Sequence, residues 1–191
     1  VPFLGISCVA LKSNFSAYIY YKRGLDGVNV KTKGVTLEAA LTDEKWDYVS
    51  FQQQSGRSGI YATWEASLPA LVEYVKARVP QDVVMMIHQT WAYAVGSDRK
   101  QFKDYGHDQM TMYNSIVDAV NKAAKLTRIK MIIPSGTAVQ NARTTIFNGK
   151  MTRDGYHLNK GIGRYMATMM VANALTGVTP DQIKYTPDFT K

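Results

Sequence analysis

The chain has 191 residues, of which 46% are hydrophobic and 20% charged, the usual composition of one globular domain with a full apolar core. No apolar run reaches the roughly 18 residues that a membrane-spanning helix needs, and a single cysteine, Cys8, excludes an internal disulfide framework. The net charge of +8 comes from scattered lysines and arginines, so we expect a solvated basic surface and neither a nucleic-acid nor a membrane partner.

Strands and helices are predicted to alternate along the chain. The apolar spacing predicts, in order, a helix over 36–41, a strand over 46–51, a helix over 68–75, a strand over 83–87, a helix over 112–124, a strand over 129–133 and a helix from about 157 to 177. Continuous apolar strands separated by helices are typical of a parallel sheet covered on both faces. We therefore predict a single α/β domain over residues 1–191, with three layers in the order α/β/α.

Three of the predicted strands end in polar, turn-rich segments at 52–56, 88–91 and 134–137. In an open α/β sheet, ligands bind beyond the carboxyl ends of the strands. Polar groups at a strand end also cap the sheet, and for any single segment this interpretation stays open. Taken together, the segments predict a pocket, whose candidate lining residues are Gln52, Gln53, Ser55, His88, Gln89, Trp91 and Ser135.

The strongest local signal is the segment 153–157, in which Asp154 and His157 stand three residues apart in a turn. A carboxylate so placed fixes the tautomer of the imidazole and leaves its other nitrogen free to act as a base, as in a Ser-His-Asp triad. The alternative is that Asp154 caps a helix and His157 is an exposed first-turn residue. His88 is expected to form a wall of the pocket and His107 to lie in solvent.

These segments resemble the SGNH/GDSL hydrolases, and within them a branch of secreted gut-bacterial proteins. The similarity lies in 46–53, 88–94, 133–138 and 153–158, and it spans about Gly5 to Gly177. The resemblance implies a flavodoxin-like fold and a periplasmic or secreted location, although residues 1–5 lack the features of a signal peptide and leave the compartment open.

The resemblance also implies roles for particular residues. Asp154 and His157 would supply two members of the triad, and the N–H of Gly5 would contribute to the oxyanion hole, whose donors stabilise the transition state. The family's third sequence block carries an asparagine as a further donor, whereas this chain has glutamines there. We expect Gln53 to be that donor, with Gln52 and Ser55 as alternatives.

The nucleophile is the point at which the sequence departs from the family. The family places this serine at the end of a first strand, before its second block, and Gly5 already belongs to a second-block segment. We expect a fragment that lacks the first strand, because the runs 14–18 and 34–37 resemble the family's segments beyond its second block. The alternative is that Ser7 is itself the nucleophile; Ser55 and Ser135 lack the Gly-x-Ser-x-Gly elbow and are expected to line the site.

The function implied by the resemblance is a serine esterase without cofactor or metal, acting on small acyl esters. Trp91, Tyr93, Gln89 and Tyr156 offer stacking and hydrogen bonding to a sugar, so we expect O-acetyl groups on carbohydrates as substrates. The alternative is a non-catalytic carbohydrate-binding module that keeps the pocket. A nucleotide-binding flavodoxin-like domain is disfavoured, because no glycine-rich phosphate loop is present.

Overall fold

The computed structural model describes residues 2–8, 18–145, 147 and 150–185. Val1 and the segment 9–17, which includes most of the run 14–18, lie outside the described residues. The described strands are β1 (Phe3–Ser7), β2 (Tyr18–Arg23), β3 (Asn29–Val35), β4 (Tyr48–Gln52), β5 (Val84–His88) and β6 (Met131–Ile133). The described α-helices are α1 (Leu37–Thr42), α2 (Tyr61–Glu65), α3 (Leu68–Lys76), α4 (Gln109–Thr127), α5 (Ser135–Arg143) and α6 (Ile162–Thr176).

The central sheet has four parallel strands in the order β1-β4-β5-β6. Its register aligns Ser7 with Gln52, Phe51 with Ile87, and His88 with Ile133. The carboxyl ends of β1, β4 and β5 therefore lie side by side at one rim. The prediction of an α/β fold with a parallel sheet is confirmed.

One face of the sheet packs on the main apolar core. Val49 and Phe51 of β4 and Ile87 of β5 are fully buried there, against residues of α2, α3 and α4. Trp64, Leu68, Leu71, Met112 and Ile116 are the large helical side chains of this core. Burying each such side chain contributes about 1.5–3 kcal/mol, so this layer accounts for much of the stability of the fold.

Helix α6 covers the opposite face. The Tyr48 hydroxyl donates a hydrogen bond to the carbonyl of Leu175 in α6 at 3.2 Å, and Ser135 lies 3.4 Å from the carbonyl of Ala167 in the same helix. Helix α5 packs on α6 through a second, smaller apolar cluster that includes Val139 and Ile162. Side chains at alternate positions of the strands, among them Gln52 and His88, point to this second face.

Several element boundaries differ from the predictions: α4 begins at Gln109 and not at 112, and β6 begins at Met131 and not at 129. β4 begins at Tyr48 and not at 46, because the Trp46 indole N–H donates to the carbonyls of Ala40 and Leu41 and holds Trp46 in the preceding loop. α6 begins at Ile162 and not near His157, because residues 152–158 form a closed loop instead of a first helical turn. Among the described residues, no helix is both long and apolar enough to cross a bilayer.

The antiparallel ribbon of β2 and β3 was not predicted. Most of the side chains of its strands are exposed, so they lack the continuous apolar run that marks a buried strand. The sequence does carry a hairpin signal, Asp26-Gly27, in which Gly27 has φ +79°. Asp-Gly between alternating residues is a common turn of this kind.

Candidate active site

The loop 152–158 brings Asp154 and His157 into contact. Gly155 at its tip has φ +82°, a conformation that favours glycine, and the N–H of Arg153 donates to the carbonyl of His157 across the turn. Asp154 Oδ1 accepts the N–H groups of Tyr156 at 3.3 Å and His157 at 2.7 Å. Asp154 Oδ2 lies 2.7 Å from His157 Nδ1, so Nδ1 donates to the carboxylate and Nε2 is left as the free nitrogen.

The carboxylate of Asp154 is held in its charged form. Partial burial raises the pKa of this carboxyl group, but hydrogen bonds from the His157 ring and from the N–H groups of His157 and Tyr156 outweigh it and lower the pKa to about 2. Asp154 is therefore ionised throughout the physiological range, as an orienting carboxylate must be.

The segment after β5 holds this loop against the rim of the sheet. The Trp91 indole N–H donates to the carbonyl of Tyr156 at 2.7 Å, and the N–H of Ala94 donates to the carbonyl of Gly155 at 2.7 Å. The Tyr156 ring packs edge-on against Tyr93, with the centroids 6.0 Å apart, and contacts the His157 ring at 4.0 Å. The Asp154–His157 pair is thus positioned at the carboxyl end of β5, with both side chains partly exposed to solvent.

A chain of hydrogen bonds crosses the ends of the neighbouring strands. His88 Nδ1 lies 3.1 Å from Gln52 Oε1, and His88 Nε2 lies 2.9 Å from Ser135 Oγ. Burial lowers the pKa of His88 to about 4, because the charged imidazolium would lose its hydration there. His88 is therefore neutral at pH 7 and forms part of the wall of the rim.

Gln53, the expected oxyanion donor, points away from the rim. Its side chain is buried, and its Nε2 donates to Oγ1 and to the carbonyl of Thr63 at 3.1 and 3.2 Å. Its Oε1 accepts the N–H of Gln54. Both ends of the Gln53 amide are thus engaged inside the protein, whereas Gln52 Nε2 bonds to no other described residue. The geometry favours Gln52 as the donor.

Of the other expected lining residues, two are buried and two are partly exposed. Gln89 is buried, and its Oε1 accepts the N–H and the hydroxyl of Thr137, so it caps the start of α5. Ser135 is fully buried. Neither side chain is accessible to a sugar. Ser55 and Trp91 are partly exposed, and the Ser55 hydroxyl lies 3.2 Å from the hydroxyl of Tyr93.

Ser7 and Gly5 lie on β1, where Ser7 is next to the end of β4 and Gly5 is next to its middle residue, Ser50. Ser7 is exposed and pairs with Gln52, while a Cβ on Gly5 would lie 3.6 Å from Ser50 Oγ. Both line a groove of about 230 Å³ together with Tyr18 and Tyr20 of the ribbon. Within the described part of the chain, His157 Nε2 has no hydrogen-bond partner, serine or otherwise.

Arg143 has a supporting role that the sequence did not reveal. This side chain is buried at the end of α5, and its guanidinium donates to Gln140 Oε1 at 2.9 Å and to the carbonyl of Ala92 at 2.8 Å. Burial lowers its pKa to about 10. By binding the segment that carries Trp91 and Ala94, Arg143 supports the Asp154–His157 loop indirectly. A basic residue in the last turn of a helix is usually a surface residue, so no sequence signal marked it.

A model of the family described as a domain of unknown function, DUF4886, matches residues 3–191. The chain belongs to this family. The crystal structure of a DUF4886 protein from Bacteroides uniformis is 51% identical, with a TM-score of 0.90 over 93% of this chain and 69% of its own. No curated protein matches the sequence.

More distant structures share the fold of this DUF4886 chain. A candidate SGNH hydrolase from Slackia heliotrinireducens is 21% identical, with a TM-score of 0.55 over 72% of this chain and 70% of its own. An acetylxylan esterase from Geobacillus stearothermophilus is 13% identical, with a TM-score of 0.55 over 92% of this chain and 94% of its own. The SGNH hydrolase fold implied by the resemblance is therefore confirmed.

Among the described residues, no group of three or more histidine, cysteine, aspartate or glutamate side chains is arranged to hold a metal ion. The candidate site consists of hydrogen-bonding and proton-transfer groups: the Asp154–His157 pair, the Gln52 amide and the backbone of Gly5.

Proposed function

We propose that this DUF4886 protein is a serine esterase that removes small acyl groups, O-acetyl groups in particular, from carbohydrates. The observation that carries the proposal is the Asp154–His157 pair, whose 2.7 Å hydrogen bond orients the imidazole with Nε2 free at the rim of an SGNH-type sheet. A free Nε2 backed by an ionised carboxylate is the arrangement of a general base.

In the proposed reaction, a serine hydroxyl attacks the ester carbonyl and its proton passes to His157 Nε2. The N–H of Gly5 and the amide of Gln52 bind the oxygen that becomes negative. The intermediate then expels the sugar oxygen, which takes the proton from His157 and leaves as an alcohol. Water then attacks the acyl-serine and gives a proton to His157 Nε2; the bond to the serine oxygen breaks, the serine takes that proton, and the acid is released.

The nucleophile in this proposal is the serine of the block that the family places before its second block; Ser7 is the alternative. In the described residues His157 Nε2 bonds to no serine, and this chain covers 69% of the crystallised DUF4886 protein.

The choice of acetylated carbohydrate rests on two observations. Trp91 is partly exposed and hydrogen-bonds the carbonyl of Tyr156, the residue before His157, so its indole is an aromatic surface for a sugar ring; the Tyr156 ring already packs between Arg99 and His157. The acetylxylan esterase with the same fold matches over 92% of this chain, and its solved structures include variants at a catalytic serine and a catalytic histidine. The non-catalytic alternative would bind the same sugars without hydrolysing them.

The test uses the native gene product with a fluorophosphonate probe, 4-nitrophenyl acetate and acetylated xylo-oligosaccharides. We expect one labelled serine, identified by peptide mass spectrometry, and loss of labelling and of hydrolysis in His157→Ala. His107→Asn is the matched control, because His107 is an exposed histidine with φ +56° that asparagine tolerates.

Three outcomes would decide the proposal. Labelling of Ser7 would select the alternative nucleophile, and labelling of a serine outside the 191 residues would support the one proposed. Full activity in His157→Ala would exclude the triad. Calorimetric binding of the oligosaccharides without any turnover by the native product would select the binding module.

A further inference from the structure

The side chains of Gln52 and His88 lie next to each other on the face of the sheet that also carries Gly5. Gln52 comes directly after Phe51, which is paired with Ile87, and His88 comes directly after Ile87 on the adjacent strand. Gly5 lies next to Ser50 of β4, and Ser50 is on the same face as Gln52 because side chains alternate along a strand. The Gln52 amide therefore lies on the same face as Ser50, the neighbour of Gly5, and two residues further along β4.

An amide side chain can present either of two opposite ends. Its –NH2 end donates hydrogen bonds and would stabilise an oxyanion, whereas its carbonyl end accepts them and would repel one. The end that faces the rim is decided by the group that binds the other end. For Gln52 that group is His88 Nδ1, 3.1 Å from Oε1.

The direction of the hydrogen bonds through His88 depends on Ser135. A neutral imidazole donates from one nitrogen and accepts at the other, and burial keeps His88 neutral by lowering its pKa to about 4. Ser135 Oγ is 2.9 Å from His88 Nε2 but 3.4 Å from the carbonyl of Ala167. Because an O–H···O bond is normally about 2.7–2.8 Å long, the single hydroxyl proton is better placed toward Nε2.

We propose that His88 is a positioning residue, which accepts the Ser135 hydroxyl at Nε2 and donates from Nδ1 to Gln52 Oε1, so that the Gln52 –NH2 group faces the rim as an oxyanion donor. If these hydrogen bonds ran in the opposite direction, the His88 ring proton would be on Nε2, the Ser135 hydroxyl would donate to the carbonyl of Ala167, and the side-chain carbonyl of Gln52 would face the rim. The catalytic consequence of this inference rests on the proposed esterase function, whereas the orientation of the Gln52 amide does not.

The orientation is tested by NMR of the ring nitrogens in the native gene product labelled with ¹⁵N. We expect His88 at pH 7 as the Nδ1–H tautomer, with Nε2 in the chemical-shift range of an unprotonated nitrogen. The resonance is assigned by its absence in His88→Gln. An Nε2–H tautomer would overturn the proposal, whether or not the protein hydrolyses esters.

The catalytic consequence is tested with a double-mutant cycle on 4-nitrophenyl acetate hydrolysis. Gln52→Met removes the amide donor without adding a charge, and His88→Phe removes the orienting bond. Each is expected to lower kcat on the order of 100-fold with little change in KM, because the donor acts in the transition state. The double variant should lose no more than either single variant, since both remove the same interaction.

Additive losses in the cycle would mean that His88 has only a structural role and would overturn the positioning function. If His88→Phe does not fold, Ser135→Ala and the tautomer measurement on the unmodified protein still test the orientation. His107→Asn again serves as the control with unchanged kcat. Failure of the esterase proposal has a different signature, which is hydrolysis that does not depend on His157.

Discussion

Acidification is expected to destabilise the protein through His88. The ring is largely buried, and its pKa in the folded protein is lowered from 6.5 to about 4 by loss of hydration. In the unfolded chain the ring titrates near its ordinary value, so between these two values the unfolded state binds the extra proton. Stability from this group is therefore fully present above pH 6.5 and falls as the pH is lowered toward 4. At about 1.4 kcal/mol per pH unit, the loss approaches 3 kcal/mol.

The assay is urea unfolding at pH 7, 6, 5 and 4, monitored by tryptophan fluorescence. The native protein is compared with His88→Gln, in which the side chain cannot titrate but can still form hydrogen bonds. All other groups titrate in both proteins, so the change in the stability difference between them reports His88. We expect the difference to shift by about 3 kcal/mol in favour of the variant from pH 7 to pH 4. Parallel losses of stability in the two proteins would refute the assignment of a buried, neutral His88.

Two further predictions concern packing and reactivity. Gly136→Ala should lower the free energy of unfolding by about 3 kcal/mol or more, because the new Cβ would lie 2.0 Å from the carbonyl oxygen of Thr90. Gly5→Ala is the control and should change this free energy far less, because the nearest atom to its Cβ is Ser50 Oγ at 3.6 Å. Chemical denaturation of both variants measures the difference. The buried Cys8 thiol, whose pKa is raised to about 12 by loss of hydration, should react with a thiol reagent at pH 8 much more slowly in the native state than in urea, and equal rates would contradict its burial.

The close packing around Gly136 explains why Gln89 and Ser135 are buried, although the sequence predicts that they line the site. The turn after β6 packs so closely on the segment after β5 that the N–H of Gly136 donates to the carbonyl of Gln89. This contact buries both Gln89 and Ser135 and uses their polar atoms within the protein. A polar residue at a strand end looks the same in the sequence whether it lines a pocket or fastens one loop to the next.

Features that depend on short spacings could be predicted from the sequence. The alternation of apolar runs predicted the parallel α/β sheet, because a strand buried on both faces must be apolar throughout. The pairing of Asp154 with His157 was predicted for a similar reason: three residues of chain with Gly155 between them suffice to close the turn. The ribbon of β2 and β3 was missed because exposed strands have no such apolar run.

The choice between the two glutamines at the rim depends on tertiary contacts. Gln52 and Gln53 are adjacent and chemically identical, and the alternation of a strand only requires that they point to opposite faces. Thr63, ten residues further on, binds one amide, and His88, thirty-six residues further on, binds the other. These contacts form only when distant segments pack together, so no local pattern encodes them. The same holds for Arg143, whose bond to the carbonyl of Ala92 spans 51 residues of chain.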